Sequence, residues 1–107
     1  MAIELNGDNY ETETTQAETP VVVDFWGPQC APCLALNPFM EKLEEEYNGR
    51  IKFAKLNAAA NRMLCARLRV LGLPTFLFYK DGQEFRRITG EDITVDHIKQ
   101  EIEALLD

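Results

Sequence analysis

The stretch Val21-Val22-Val23-Asp24-Phe25-Trp26-Gly27-Pro28-Gln29-Cys30-Ala31-Pro32-Cys33 decides the fold of this chain. It opens with a β-branched and aromatic run, bounded by Pro20 and by Gly27-Pro28, that is typical of a strand buried on both faces. Pro32 suits the first turn of a helix, because the missing N–H costs nothing there. The stretch therefore predicts a central strand that leads into a helix, with Cys30 at or just before the helix start.

The segments after Cys33 alternate between helix and strand patterns. Apolar residues at helical spacing predict a helix over Leu36–Tyr47, and an alternating pattern predicts a strand over Ile51–Leu56. A short helix is expected over Asn61–Leu68. Upstream of the central strand, the acidic segment Glu11–Thr19 suits either a short weak helix or a loop.

The last third of the chain predicts a hairpin and a final helix. Thr75–Tyr79 is predicted as a strand, the turn signal Asp81-Gly82 follows it, and Glu84–Ile88 is expected to return antiparallel. Thr94 is a candidate N-cap for the last helix. Together the elements predict one α/β domain over residues 1–107, with a central mixed sheet flanked by helices on both faces.

The composition argues against several classes of function. The 107 residues carry 11 Lys and Arg against 18 Asp and Glu, for a net charge of −7. This negative field argues against nucleic acid or an anionic membrane as the partner. No apolar run is long enough to span a bilayer, and Met1-Ala2-Ile3-Glu4 lacks the basic and apolar regions of a secretory signal. We therefore expect a cytoplasmic protein, and we expect it to be a monomer.

The cysteines point to a site and not to a disulfide scaffold, because the chain has only 3 of them and the number is odd. A sulfur at the start of a helix lies near unpaired N–H groups and the positive end of the helix dipole, which lowers the thiol pKa and favours the thiolate. Cys33, about one helical turn further on, can close on Cys30. The pair suits dithiol–disulfide exchange, in which Cys30 attacks a substrate disulfide and Cys33 resolves the mixed intermediate.

A carboxylate inside the apolar run is the second informative feature. Burial penalises its charged form, so we expect a raised pKa for Asp24. A buried acid at the end of the strand that leads into the site can exchange the proton that Cys33 must give or take during resolution. Lys55, on the neighbouring predicted strand, is a candidate charge partner for Asp24, with a solvated surface lysine as the equal alternative.

Several separated motifs resemble the thioredoxin family over essentially the whole chain. The matching residues are Val23-Asp24-Phe25-Trp26, Cys30-Ala31-Pro32-Cys33, Pro38, Lys55-Leu56-Asn57, Gly72-Leu73-Pro74-Thr75 and Gly90. The resemblance implies the thioredoxin fold, a cis peptide bond before Pro74, and a substrate cradle formed by the Leu73-Pro74 backbone and the Gly90 loop. It also implies Cys30 as the attacking cysteine, Cys33 as the resolving one, and Asp24 as the proton acceptor and donor.

The resemblance further implies an activity and its partners. It predicts a protein-disulfide reductase that binds no cofactor or metal, acts on disulfide-containing proteins, and is recycled by a thioredoxin-reductase-type electron donor. The candidate substrate-binding residues are Trp26, Gln29, Ala31, Pro32, Leu73, Pro74, Thr75 and Gly90. Among them, Trp26 is expected to pack under the active-site loop more than to contact substrate directly.

Three residues beside the cysteines depart from the family pattern. Gln29 stands where the family has Trp, Ala31 where it has Gly, and Leu34 where it often has Lys. The first change removes a large apolar contact, and the last removes a positive charge near the thiolate. We expect these changes to affect the reduction potential and the choice of partner more than the type of reaction.

Other interpretations of the cysteine pair stay open at the level of sequence. A disulfide oxidase or isomerase would use the same pair at a less negative potential. A non-catalytic binding module with the same fold would need neither the pair nor Asp24 nor Pro74. A zinc site would need further ligands, for which Cys65 and His97 are the remaining candidates.

Two features outside the motif also allow two interpretations each. Cys65 shares a helix face with Leu64 and Leu68, which favours core packing over a regulatory or dimerising thiol. Between Arg50 and Arg69 the chain has basic residues and no acidic one. That segment is either a solvated face or a surface that steers an acidic partner onto the site.

Overall fold

The computed structural model describes residues 2–107. Its sheet has five strands in the spatial order β1-β3-β2-β4-β5. The strands are β1 (Ile3–Glu4), β2 (Val21–Trp26), β3 (Lys52–Asn57), β4 (Thr75–Lys80) and β5 (Gln83–Thr89). β3 pairs in parallel with both β1 and β2, whereas β4 pairs antiparallel with both β2 and β5. The sheet is therefore mixed, as predicted, and β2 is its central strand.

Helices cover both faces of this sheet. They are α1 (Tyr10–Glu13), α2 (Ala31–Glu46), α3 (Arg62–Arg67) and α4 (Val95–Leu105), and a single 3-10 turn spans Ala58–Ala60. α2 and α4 pack on one face, with Val22, Phe76 and Phe78 beneath them. α1 and α3 pack on the other face, over Val23, Phe25 and Leu77. The α/β class with helices on both faces is confirmed.

The central position of β2 explains its sequence. Alternate side chains of a strand point to opposite faces of the sheet, and both faces of β2 are covered, so Val21 through Phe25 are all buried. Asp24 shares the face of Val22, beneath α2 and α4. One acidic side chain is thus buried in an otherwise apolar strand, on the side from which α2 approaches.

The predicted turn and cap are both present. Asp81 and Gly82 have φ values of 54° and 78°, which is the backbone of the two-residue hairpin turn that such a pair favours. Thr94 caps α4, since its Oγ1 accepts the backbone N–H of His97 at 3.1 Å. The Leu73–Pro74 peptide bond is cis, as the family resemblance implied.

The structure differs from the sequence-based expectations mainly at the amino-terminal end. The strand β1 was not predicted, because two residues carry no periodicity and its position depends on pairing with β3. The segment Glu11–Thr19, expected to be a short weak helix or a loop, contains both: the four-residue α1, Tyr10–Glu13, covers its start, and bends and turns follow. Among residues 2–107, no helix is both long and apolar enough to cross a membrane.

Candidate active site

The two cysteines of the motif lie where β2 leads into α2. Cys30 is the N-cap residue of α2, and its Sγ accepts the backbone N–H of Cys33 at 3.2 Å. Pro32 lies in the first turn of the helix. Cys30 and Cys33 form a disulfide bond with their Cα atoms 5.3 Å apart. The predicted position of Cys30 at the helix start is confirmed, and the local N–H groups favour negative charge on its sulfur.

The two sulfurs differ in their access to solvent. Cys33 is 2% exposed, whereas Cys30 is only half-buried and its neighbours Gln29 and Ala31 are exposed. An incoming disulfide can therefore reach Cys30 far more easily than Cys33.

Asp24 is buried on the face of β2 that α2 covers, with only 4% of its surface exposed. Burial raises its pKa to about 7, the positive charge of Lys55 opposes this rise, and the negative charge of Glu44 adds to it. The expected raised pKa is therefore present, and desolvation is its main cause. A carboxyl group with this pKa takes up and releases a proton near neutral pH.

Lys55 acts on Asp24 through its charge without forming an ion pair with it. The two residues are register partners on β2 and β3. The Nζ atom of Lys55 instead donates to Asn37 Oδ1 at 3.4 Å and lies 5.1 Å from the centroid of the Trp26 ring. Sequence reasoning did not anticipate Asn37, because nothing in the local pattern of α2 marks that position.

Trp26 lies at the end of β2, beside Lys55. It is half-buried at the end of β2, where it pairs with Asn57. Its indole nitrogen is buried, and no acceptor among residues 2–107 pairs with it. The ammonium of Lys55 lies over the face of the indole ring.

The loop around Pro74 is held by hydrogen bonds from β5. The carbonyl oxygen of Pro74 accepts the N–H of Gly90 at 3.1 Å and the hydroxyl of Thr89 at 3.3 Å. Thr75 Oγ1 donates to Gly72 O and lies 2.6 Å from Thr89 Oγ1. Because Thr75 is 2% exposed, its side chain fixes the loop from inside and is not accessible to a substrate.

An apolar groove of about 610 Å³ lies beside Cys30. Its lining comes from the segment before α2, the 3-10 turn Ala58–Ala60 that follows β3, α3, and the segment before Pro74. The lining residues are Gly27, Pro28, Gln29, Cys30, Ala58, Ala59, Arg62, Cys65, Ala66, Val70, Leu71, Gly72 and Leu73. Of the predicted substrate-binding residues, the lining contains Gln29 and Leu73, whereas Trp26, Ala31, Pro32, Pro74, Thr75 and Gly90 lie outside it.

The α3 wall of the groove is attached to β5 by Arg87. Its guanidinium donates to the carbonyl oxygens of Leu68 and Arg69, at 3.1 and 3.0 Å, and to both carboxylate oxygens of Glu84 at 2.8 Å. The carbonyls belong to the carboxyl-terminal end of α3, where unpaired acceptors need donors. The sequence did not predict these hydrogen bonds of Arg87, because its pattern there indicates only an exposed strand residue.

Cys65 is buried on the inner side of α3. It is 6% exposed and belongs to the core beneath α1 and α3, which agrees with the expected packing role. Burial raises the pKa of its thiol, so the unreactive protonated form prevails.

A cavity of about 730 Å³ on the α2 side borders Asn37, Glu44 and Lys55, and neither cysteine of the pair lines it. Within the described residues 2–107, no cluster of three or more His, Cys, Asp or Glu side chains is arranged to hold a metal ion.

A cysteine pair at the start of a helix, next to a cis-proline loop and an apolar groove, defines a class of proteins that exchange dithiols with disulfides. Comparison with known proteins agrees. The Thioredoxin family model matches residues 1–104. The chain is 42% identical over 96 residues to a thioredoxin of Acetoanaerobium sticklandii, and the aligned residues make up 90% of this chain and 91% of the relative. It is 37% identical over 98 residues to a thioredoxin of Peptoclostridium acidaminophilum, covering 92% and 89%.

The chain belongs to the thioredoxin family. It is a thiol-disulfide oxidoreductase that reduces protein disulfides by exchange through Cys30 and Cys33. Its partners are accordingly proteins that carry disulfide bonds.

Proposed function

We propose that Cys30 is the attacking and Cys33 the resolving cysteine of this reductase. The Cys30 thiolate forms a bond to one sulfur of the substrate disulfide, and the other substrate sulfur leaves as a thiol. Cys33 then attacks the sulfur of Cys30, which releases the second substrate thiol and leaves the disulfide seen here. Two electrons pass to the substrate, and both sulfurs of the pair are oxidised.

The unequal access of the two sulfurs is the observation that carries this assignment. Cys33 is 2% exposed, so a protein disulfide meets Cys30 first. Cys30 also accepts the N–H of Cys33, and a hydrogen bond to sulfur at a helix N-terminus stabilises its thiolate.

Asp24 is proposed as the group that exchanges the proton of Cys33. A thiol must lose its proton before it can attack, and Asp24 lies on the sheet face that α2 covers. Its pKa of about 7 lets it accept that proton and return it near neutral pH. Lys55 is proposed as a positioning charge, which keeps part of the Asp24 population ionised.

The residues around the groove are proposed to hold the substrate chain. Gln29 and Leu73 line the groove next to Cys30. Ala31, Pro32, Pro74 and Gly90 would border the chain on the other side of the sulfur. Thr75 would support these surfaces from inside the loop, where its hydroxyl donates to Gly72 O, and Trp26 is proposed to support them from the end of β2.

The remaining partners and setting are proposed from the family relationship. We expect a thioredoxin-reductase-type protein to return electrons to the disulfide, and we expect the protein to act as a monomeric single domain in the cytoplasm. Light scattering of the reduced and oxidised forms tests the monomer. Reduction by a purified thioredoxin reductase with its nicotinamide donor tests the electron source.

A pair of serine variants tests the order of attack. Cys33→Ser retains the attacking sulfur but cannot resolve, so incubation with a disulfide-bonded protein is expected to yield a stable mixed disulfide at Cys30. Cys30→Ser is the matched control and is expected to yield none, because the buried Cys33 is not reached. Mass spectrometry shows for each variant whether an adduct forms and which cysteine carries it. An adduct at Cys33 in the control would reverse the assignment.

The reduction potential separates the reductase from an oxidase or isomerase. We expect a value near the roughly −270 mV of thioredoxins, against about −180 to −120 mV for proteins that form or rearrange disulfides. Equilibration in thiol buffers of defined potential measures it.

A further inference from the structure

We propose that Arg62 makes this reductase select disulfide partners that carry an acidic side chain next to the cysteine under attack. Selection by Arg62 depends on the attack by Cys30 proposed above, because both residues line the same groove. It adds to that function a class of substrate that the cysteine pair alone does not define.

The groove contains one charged residue. Apart from Arg62, its lining is made of Gly, Ala, Pro, Gln, Cys, Val and Leu residues, none of which carries a charge when the cysteines are oxidised or protonated. Leu71 is 90% exposed at one edge and offers an apolar contact to a bound chain. A substrate segment in the groove therefore meets mainly apolar surface, the polar side chain of Gln29, and a positive charge at a single place.

The guanidinium of Arg62 is free to take a new partner. Arg62 is exposed on α3, and within residues 2–107 no carboxylate pairs with it. Its five N–H donors in a planar fork match the two oxygens of a carboxylate. By contrast, Arg87 behind the same helix is already bound to Glu84.

The charge distribution of the chain adds to the proposed selection of acidic partners by Arg62. The chain as a whole has a net charge of −7, so acidic proteins are repelled from most of its surface. The segment from Arg50 to Arg69 has no acidic residue, and it contains both the 3-10 turn after β3 and the helix α3, which flank the groove. An acidic group is therefore stabilised at this face and disfavoured elsewhere, which favours one orientation of approach.

Peptide mixed disulfides test this selection. Short peptides with a central cysteine, joined to neutral 2-mercaptoethanol, would carry Asp, Asn or Lys on either side of the cysteine. Reaction with the reduced protein releases mercaptoethanol and then the peptide thiol, and liquid chromatography measures the rate. Each rate is divided by the rate with dithiothreitol, which removes the intrinsic effect of a nearby charge on disulfide reactivity.

We expect the wild-type protein at low salt to react about two- to fivefold faster with the best-placed Asp peptide than with its Asn match, the size expected for an exposed ion pair. The ratio should fall towards one at high salt. Arg62→Gln should bring it close to one at low salt, and Arg62→Glu should reverse it. The matched control is Arg67→Gln, on the same helix but outside the groove lining, and it should keep the wild-type ratio.

The outcomes separate the selection from the underlying reaction. Equal normalised rates for Asp and Asn peptides with the wild type would overturn the role of Arg62 while leaving disulfide exchange intact. An equal loss of preference in Arg67→Gln would also overturn it, because the effect would then come from the charge of the whole face. If no peptide reacts at all, the proposed attack by Cys30 is wrong, and the proposed selection by Arg62 is then wrong as well.

Discussion

Asp24 and Lys55 are register partners on adjacent parallel strands, yet the ammonium of Lys55 is hydrogen-bonded to Asn37 and not to the Asp24 carboxylate. The acid is therefore buried beside a positive charge that does not neutralise it at contact distance. Desolvation outweighs the attraction, and the pKa of Asp24 rises to about 7. This balance lets the carboxyl group take up and release a proton near neutral pH, and it has a measurable cost in stability.

We expect Asp24→Asn to change how the stability of the disulfide form depends on pH. The folded protein holds the Asp24 proton between the ordinary pKa of 3.8 and about 7, where the unfolded chain has released it. Stability is therefore full below that range and falls as pH rises through it. The asparagine variant lacks this loss, so its stability relative to wild type should rise by an amount on the order of 4 kcal/mol from acid to neutral pH.

Denaturant unfolding across the pH range measures this difference. The comparison with wild type cancels all other titrating groups. A difference that stays constant from acid to neutral pH would contradict the raised pKa of Asp24.

Two further variants should move the titration of Asp24 in opposite directions. Lys55→Gln removes the charge that lowers this pKa, so the midpoint should shift to higher pH. Glu44→Gln removes a charge that raises it, so the midpoint should shift to lower pH. Carbonyl-detected NMR of the Asp24 carboxyl group reads both midpoints. Shifts of the same sign would mean that the variants act through packing and not through charge.

Cys65 should resist alkylation in the native protein. Its thiol is buried and its pKa is raised by that burial, so we expect iodoacetamide to modify it at least about tenfold more slowly than an unstructured cysteine. Mass spectrometry of the disulfide form follows the labelling. Cys65→Ala should lower the free energy of unfolding by about 1 kcal/mol through the lost packing. Rapid labelling in the native state would indicate a reactive thiol.

Arg87→Ala should loosen the groove wall formed by α3. The variant removes donors to the carbonyls of Leu68 and Arg69 and the pair with Glu84, at an expected cost of about 1–2 kcal/mol. Hydrogen exchange should rise most at the amides of Leu68 and Val70, which bond within this turn.

The control for Arg87 is Lys99→Ala, which removes a surface ion pair with Glu46 on the opposite side of the sheet. It should leave exchange at Leu68 and Val70 unchanged. Equal acceleration in both variants would indicate a global loss of stability.

The sequence predicted those parts of the molecule that local rules govern. The apolar run of β2, the turn at Asp81-Gly82 and the cap at Thr94 each have a physical reason within a few residues. The position of Cys30 at the start of α2 followed from Pro32 and the change of period. The two-residue β1 could not be found this way, because only its pairing with β3 makes it a strand.

The candidate site was predictable in its chemistry and less so in its surroundings. Cys30, Cys33 and a buried Asp24 followed from the motif and the apolar strand. The placement of Arg62 in the groove and of Asn37 against Lys55 did not. Both depend on how α3 and α2 are oriented over the sheet, and a sequence pattern defines which face of a helix is apolar but not where its polar residues meet other elements.

Arg87 supports α3 at the end of the helix, whereas other residues of α3 line the groove. The side chain that fixes the helix end lies behind it on β5, whereas Arg62 and Ala66 face outward and take no part in that support. Exposed residues of α3 can therefore be substituted without loss of the hydrogen bonds from Arg87 that hold the end of the helix. If the groove holds the substrate chain as proposed, a library varied at those positions alone would change which disulfide-bonded proteins are reduced, while the redox chemistry of the cysteine pair stayed the same.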